Sequence, residues 1–483
     1  MRARQIDQRF VVAVVYVASM LLNSLNGSII NVAIATLARQ FNVSPAATQG
    51  VIVGYLVSVA VFIPASGWLG DRWGTKRTFI LALALFTGAS LACGFAGSLE
   101  QLVLFRVIQG AGGGLLTPVG MSLLYRAFPP EERVRISRLL MFPTIVGPAS
   151  GPILGGFVVQ YFSWHWAFFV TVPVGLAALI FGALYLREHR EADAGAFDLP
   201  GFALSGVGFA LAMYALTEGP TRGWLSPGIA GSGVIGLALL VAFVRVELRA
   251  RAPMVDLRLL GNRLFRSTLS VSFFSTAGFS GILFLVPLYL QEARGASPLE
   301  SGLTSFPEAL GVVISTQLVA RLYPRIGPRR LMAGGLSGLA VVTLLLGLVG
   351  ITAGPWPLRG LMFLIGVSMA YIFLPSQAAS FATITSAQTG HASTLSSAQR
   401  QIGSALGVAL LSGVLGAFGP TRLLGGVVEA NLLAYRAAFV AAAALALVGV
   451  ALALRVPDKD AAATMRPRAA SPRPAPPATV GVE

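Results

Sequence analysis

The sequence predicts an all-α polytopic membrane protein with fourteen transmembrane helices. Three observations lead there. The chain of 483 residues is 55% apolar and only 11% charged, where a soluble domain is about a quarter charged. Its apolar residues gather in runs of about 20, the length that crosses a hydrocarbon core. Its 35 Lys and Arg crowd into alternate connections between those runs, as they do where cationic loops resist translocation.

The runs fall near 11–36, 48–70, 79–97, 100–123, 138–158, 165–186, 199–217, 228–246, 266–290, 299–319, 331–350, 357–378, 396–418 and 432–454. The first follows Arg2, Arg4 and Arg9 and looks superficially like a signal peptide. It is too long for a signal core and lacks a cleavage site before polar sequence, so a retained helix is expected. Short connections make neighbouring helices antiparallel. With this assignment Arg39, Arg106, Arg222, Arg294, Arg359, Arg422 and Arg436 lie on one side and all other Lys and Arg on the side of both termini. Both termini are therefore expected in the cytoplasm, and the chain in the inner (plasma) membrane. The net charge of +16 needs no nucleic acid to explain it.

Six runs precede the pair at 199–246 and six follow it. This divides the chain into a six-helix bundle (1–190), an inserted helix pair with linkers (191–258), a second six-helix bundle (259–456) and a tail (457–483). The tail is rich in Pro and Ala and is expected to be disordered. The basic, partly amphipathic connection at 247–265 is expected to lie on the inner leaflet. A weak repeat links the halves: GWLGDRWGTKR at 67–77 matches VARLYPRIGPRR at 319–330, with Gly74 on Gly327. Repeated halves place a transporter's binding site at their interface, near the midplane.

Several segments have a physical reading of their own. In 67–77, Gly67 and Gly70 allow close helix approach, and Gly74 supplies a tight turn. Asp71 suits the positive N-terminus of a facing helix. Arg106-Val107-Ile108-Gln109-Gly110 sets a cation and an amide inside a span, where a charge faces a polar cavity or partner unless it snorkels outward. In 147–156, GPASGPILGG, Pro148 and Pro152 each delete a backbone hydrogen bond, while Gly147, Gly151, Gly155 and Gly156 give a smooth packing face. Of nineteen acidic residues only Glu308 falls deep in a span, about 13 Å from its start at 1.5 Å per residue. Pro307 before it frees the carbonyl of Leu303. An ionised carboxyl is costly there, so Glu308 can be neutral in one state and charged in another, as proton coupling requires.

Together these segments resemble the major facilitator superfamily, and within it the fourteen-helix drug:proton antiporters (EmrB/QacA type). The resemblance covers the chain to about residue 456. It implies a major facilitator fold, with a cytoplasmic gate at Gly67, Gly70, Asp71, Arg72, Gly74 and Arg77. Arg400, in Arg400-Gln401-Ile402-Gly403 near the cytoplasmic end of the thirteenth run, is similar to a family position with a latch or transport role. Segment 147–156 looks like the motif that separates exporters from importers, and Arg106 resembles a proton-coupling arginine. Ser163-Trp164-His165-Trp166 is similar to the sixth-helix entrance, with His165 where the family often has Arg and Thr171 where it often has Asn. The main departure is in Leu25-Asn26-Gly27-Ser28-Ile29-Ile30-Asn31: the family commonly has Asp where this chain has Asn26. Asn cannot titrate, which shifts proton coupling to Glu308 and Arg106.

The expected function is export of lipophilic small molecules, driven by protons through alternating access. Asn26, Asn31, Gln109 and Glu308 would line the substrate cavity, and the partners would be the cargo, protons and the bilayer. The alternative is a narrow exporter of one endogenous metabolite, lipid or antibiotic. A membrane-embedded enzyme or a sensor without flux fits the residues poorly. The single Cys93 and three scattered histidines provide no metal cluster. The chain has no Walker-type loop, and no cofactor or nucleic acid is expected. A periplasmic adaptor stays open, and the resemblance implies a monomer.

Overall fold

The computed structural model describes residues 7–43, 45–129, 132, 136–137, 147, 154–155, 157–159, 161–190, 197–250, 253–350, 353–419, 421–424 and 427–465. The N-terminal half contains α1 (Gln8–Gln40), α2 (Pro45–Phe62), α3 (Ala65–Trp73), α4 (Thr75–Gly94), α5 (Leu99–Ala127), α6 (Trp166–Phe169) and α7 (Val172–Tyr185). The inserted pair is α8 (Leu199–Arg222) and α9 (Pro227–Arg249). The C-terminal half contains α10 (Arg263–Leu288), α11 (Pro298–Ser305), α12 (Pro307–Ile326), α13 (Pro328–Leu348), α14 (Pro355–Ser380), α15 (Thr389–Phe418) and α16 (Leu432–Ala453). Local chemistry sets many of the starts. Ser98, Asp198, Asn262 and Asn431 each accept a backbone N–H at a helix N-terminus, and Ser297 with Glu300 closes a capping box.

Among the described residues twelve helices are long and apolar enough to cross a membrane, and thirteen if the pair bent by 55° after Phe62 is one span. The expected run at 138–158 falls mostly outside the described residues, so a count of fourteen is not established. The chain is a multi-span membrane protein. Among the described residues its one sheet is a hairpin of β1 (Thr421–Leu424) and β2 (Val427–Ala430) before α16.

The two halves share a construction at the end that carries most of the Lys and Arg, called here the basic end. Gly74 joins α3 to α4 at φ +103°, and Gly327 joins α12 to α13 at φ +83°, a region glycine enters without a Cβ penalty. The carboxylate of Glu188, just after α7, accepts from the N–H groups of Lys76 and Arg77 at 3.0 and 3.3 Å. The carboxylate of Asp458, just after α16, accepts from the N–H of Arg329 at 2.8 Å. Each carboxylate binds backbone donors at the start of a facing helix.

Two segments differ from expectation. The tail is ordered through Met465: a 3₁₀ turn (Asp458–Ala461) leads into α17 (Ala462–Met465). Ala461 is buried, and the Thr464 hydroxyl lies 2.8 Å from that of Tyr323 on α12. Its polar composition hid these few anchoring contacts; residues 466–483 lie outside the described residues. The connection 247–265 packs into protein rather than lying on a leaflet. Met254, Val255 and Leu259 are buried in a core cluster that joins residues of both halves. An amphipathic pattern fixes that one face is apolar, not whether lipid or protein covers it.

The inserted pair lies beside the bundle. Helix α8 packs on α9, α2 and α15. Phe209 and Met213 of α8 join Ala60 of α2 and Ile402 of α15 in one apolar cluster, so α8 bridges the halves from outside.

Candidate functional site

Two polar assemblies stand out in this apolar bundle. The first joins the halves at the basic end. Asp71, on the last turns of α3, accepts from Arg126 Nη2 at 2.9 Å, with both side chains largely buried. A methyl added at Gly390, the second residue of α15, would lie 2.9 Å from Asp71 Oδ2. The carboxylate thus lies against the first turn of a helix from the other half, where its charge is favoured by the helix dipole. Ser66 Oγ and Thr394 Oγ1 are 3.0 Å apart, and a methyl on Gly67 would meet Thr394 Oγ1 at 2.9 Å. Tyr125 stacks on Phe381 with ring centroids 4.1 Å apart, and its hydroxyl donates to the carbonyl of Gln377. These contacts seal the basic end between α3 and α5 on one side and α14 and α15 on the other. Gly70 packs on Thr75 and Val119. Arg72 is exposed, and Arg77 lies 3.7 Å from Glu188 outside the seal.

The second assembly surrounds Arg106, which is 1% exposed and turned inward rather than snorkelling. Its Nε donates to the carbonyl of Val51 at 3.0 Å, and its Nη1 donates to Gln109 Oε1 at 2.6 Å and to Asn26 Oδ1. The Tyr55 ring lies 4.2 Å from the guanidinium carbon, a cation–π contact. Gln109 donates onward to Ser90 at 2.5 Å, and the Tyr55 hydroxyl donates to Asn23. Among the described residues no carboxylate pairs with Arg106. Asn26 and Gln109, expected to line the cavity, are instead buried partners of this arginine. The side chain of Asn31 lies outside the described ones. Glycines let α5 close on its neighbours: a methyl at Gly110 or Gly114 would strike the α2 backbone at 2.5 or 2.6 Å, and one at Gly112 the α4 backbone at 2.7 Å.

Glu308 lies in the first turn of α12 beyond a break at Phe306, within the candidate span Glu300–Ile326. It is half-buried, on the same stripe as Gly311, Val312 and Ser315. That stripe packs on α14, where Gly366 admits the Glu308 backbone so closely that a methyl would overlap it. Glu308 and Arg106 are on different halves and in separate assemblies. Arg400 lies deeper than its run suggested. Helix α15 begins at Thr389, eleven residues earlier, which at 1.5 Å per residue puts Arg400 about 16 Å in. Its guanidinium donates to Ser397 Oγ at 3.2 Å and faces Tyr16 and Tyr125 of the other half.

The segment 147–156 is described at Gly147, Leu154 and Gly155 only. The two glycines pack on α1: added methyls would meet Ser24 Oγ at 2.3 Å and the Ile29 carbonyl at 3.2 Å. Pro148, Gly151, Pro152 and Gly156 lie outside the described residues. His165 stacks on Trp164, and its Nδ1 is 2.6 Å from Ser163 Oγ. The Thr171 hydroxyl donates to the Phe168 carbonyl at 2.7 Å.

Comparison with known proteins settles the family. A model of the Major Facilitator Superfamily matches residues 16–408 and 268–481. The chain belongs to the Major Facilitator Superfamily. It is 33% identical over 394 residues to a multidrug resistance protein B homolog of Mycobacterium tuberculosis (strain ATCC 25618 / H37Rv), covering 80% of this chain and 73% of the relative. It is 33% identical over 398 residues to the putative multidrug resistance protein MdtD of Escherichia coli (strain UTI89 / UPEC), covering 82% and 84%. Among solved structures, the human organic anion transporter MFSD10 superposes with a TM-score of 0.66 at 17% identity, covering 93% of this chain and all of that one. The proton:xylose symporter XylE bound to 6-bromo-6-deoxy-D-glucose superposes with a TM-score of 0.66 at 15% identity, covering 95% and 98%. These two share the fold. The resemblance to drug exporters of this superfamily is thereby established, and the chain is a transporter rather than an enzyme.

Sequence reasoning missed Arg126 as the partner of Asp71, Thr394 and Gly390 as the surface facing Gly67, and Tyr55 over Arg106. The available signal for Arg126 was a cation in the last turn of a helix ending at the same face as the Gly67–Arg77 loop.

Proposed function

We propose that this transporter exports lipophilic small molecules in exchange for protons, by rocking its two halves about a central site. The observation that carries the reading is the seal between α3, α5 and α15. Asp71, paired with Arg126, meets the N-terminal turn of α15 in the opposing half, a contact that closes one end and breaks when the halves rock. Multidrug resistance proteins among the relatives support a broad cargo. In this reading the basic end is cytoplasmic, both termini face the cytoplasm of the plasma membrane, and the sealed form is outward-facing. The organisation is two bundles (1–190 and 259–456) with the inserted pair (191–258) alongside. Glu308 carries the exchanged proton, since Asn26 cannot. Arg106 holds Asn26 and Gln109 in fixed orientation near the centre.

The test is dye efflux from proteoliposomes under an imposed pH gradient. Glu308→Gln is expected to abolish gradient-driven efflux while leaving downhill exchange; full-rate driven efflux in that variant overturns the coupling role. Efflux indifferent to a protonophore overturns proton exchange altogether.

A second reading, a narrow exporter of a neutral or anionic compound, is favoured by the Arg106 charge, which no carboxylate neutralises among the described residues. Matched cationic and anionic dyes separate the two: strong preference for the anionic dye supports the narrow reading.

A further inference from the structure

At the basic end of the C-terminal half, away from both polar assemblies, the helix ends enclose a cavity of about 470 Å³. Its walls are the first two turns of α10, the start of α13 and the end of α16. Four guanidinium-bearing side chains line it: Arg263, Arg266, Arg329 and Arg455. Arg263 and Arg266 share one face of α10 with two serines, at spacings of three, four and seven. The opposite wall is apolar, with Leu452 and Leu454.

Positive charge is in excess here. Among the described residues none of the four arginines forms an ion pair. The N-terminal half, built on the same plan, differs. There Arg9 pairs with Glu132 at 3.1 Å and Arg77 lies 3.7 Å from Glu188. In the C-terminal half the corresponding acid, Asp458, is bound to the Arg329 backbone N–H and to the Gly327 turn. Four cations around one cavity repel each other unless an anion enters.

The cavity also has an apolar exit. Leu454 on its wall is 48% exposed, and Val448, Leu447 and Val440 continue along α16 at 44 to 56% exposure. This is the outer surface of a membrane helix. An anion with long apolar chains would fit both parts, its phosphodiester among the arginines and its chains along α16. The volume exceeds that of a bare phosphate and lies in the range of small-molecule sites. Basic pockets between transmembrane helices hold anionic headgroups in this way.

We propose that this cavity is a binding site for the headgroup of an anionic phospholipid, seated between α10, α13 and α16 and independent of the transport site.

The test uses the full chain, purified in detergent, stripped of lipid and examined by native mass spectrometry. It is offered phosphatidylglycerol or phosphatidylcholine of identical acyl chains. The expected result is retention of phosphatidylglycerol about tenfold above phosphatidylcholine, a preference that Arg263→Gln with Arg455→Gln removes. A charge-matched control, Arg187→Gln with Arg190→Gln at the same end of the N-terminal half, should keep it. Arg329→Gln is the substitute if the first double variant does not unfold at the parent temperature. Equal retention of the two lipids overturns the site. Equal loss in the control shows diffuse surface charge and overturns it too. Displacement of phosphatidylglycerol by excess inorganic phosphate overturns the lipid assignment in favour of a free-anion site.

Discussion

Asn26 offers its oxygen to the Arg106 guanidinium and leaves its amide nitrogen buried without a hydrogen-bond partner. An aspartate there would supply two acceptors and no stranded donor. The bond from Arg106 is already charge-assisted on its donor side; a carboxylate adds the attraction of an ion pair, which offsets the cost of burying it. Asn26→Asp is therefore expected to raise the unfolding temperature of the purified protein by a few degrees; a lower temperature would contradict the geometry. Arg106→Ala should do the reverse. It orphans Gln109 Oε1 and Asn26 Oδ1, each a loss of about 1–3 kcal/mol, and removes the second donor to the Val51 carbonyl. A clear fall in unfolding temperature, only partly restored by Arg106→Lys, checks this, since an ammonium cannot reach three acceptors in a plane. At this scale the sequence was half legible. It marked Arg106, Gln109 and Asn26 as unusual in oil, but it could not show that they bind one another, because residues eighty positions apart meet only through packing.

Element boundaries were legible where hydropathy and proline speak. Pro307 marks the break between α11 and α12, and Gly74 and Gly327 mark turns with positive φ. They were hidden where a helix buries hydroxyls. The first turns of α15 contain Thr389, Ser393, Thr394, Ser396 and Ser397, all buried, so hydropathy began that span too late and left Arg400 too shallow. Those hydroxyls are buried in protein, Thr394 against Ser66 and Gly67 of α3. The interface has no room for a larger group at Gly67, where even a methyl meets Thr394 Oγ1 at 2.9 Å. Gly67→Leu should wedge α3 from α15 and open the basic end. The measurement is labelling of Thr394→Cys by a membrane-impermeant thiol reagent in the inverted orientation. The expected change is several-fold faster labelling than in the parent with Gly67 intact; unchanged labelling would mean that α3 and α15 do not form the seal.

The whole molecule was legible as a multi-span helical transporter fold and not as a conformation. Apolar runs, loop charges and the repeated turn are equally compatible with either end being closed. Contacts decide that, and those joining the halves gather at the basic end. If closure there is one member of a transport cycle, locking it must stop transport without unfolding the protein. Ser66 and Thr394 stand with hydroxyls 3.0 Å apart across the seal, so cysteines at the two positions would bring their sulfurs together. The native chain adds no competing thiol, since Cys93 is fully buried. Oxidising the Ser66→Cys, Thr394→Cys double variant in proteoliposomes should bring efflux to background, and reductant should restore it. Each single variant, oxidised alike, should keep most of its rate. Sustained efflux from a fully cross-linked sample would mean that the α3–α15 contact persists through the cycle, and the moving seam would then have to lie elsewhere.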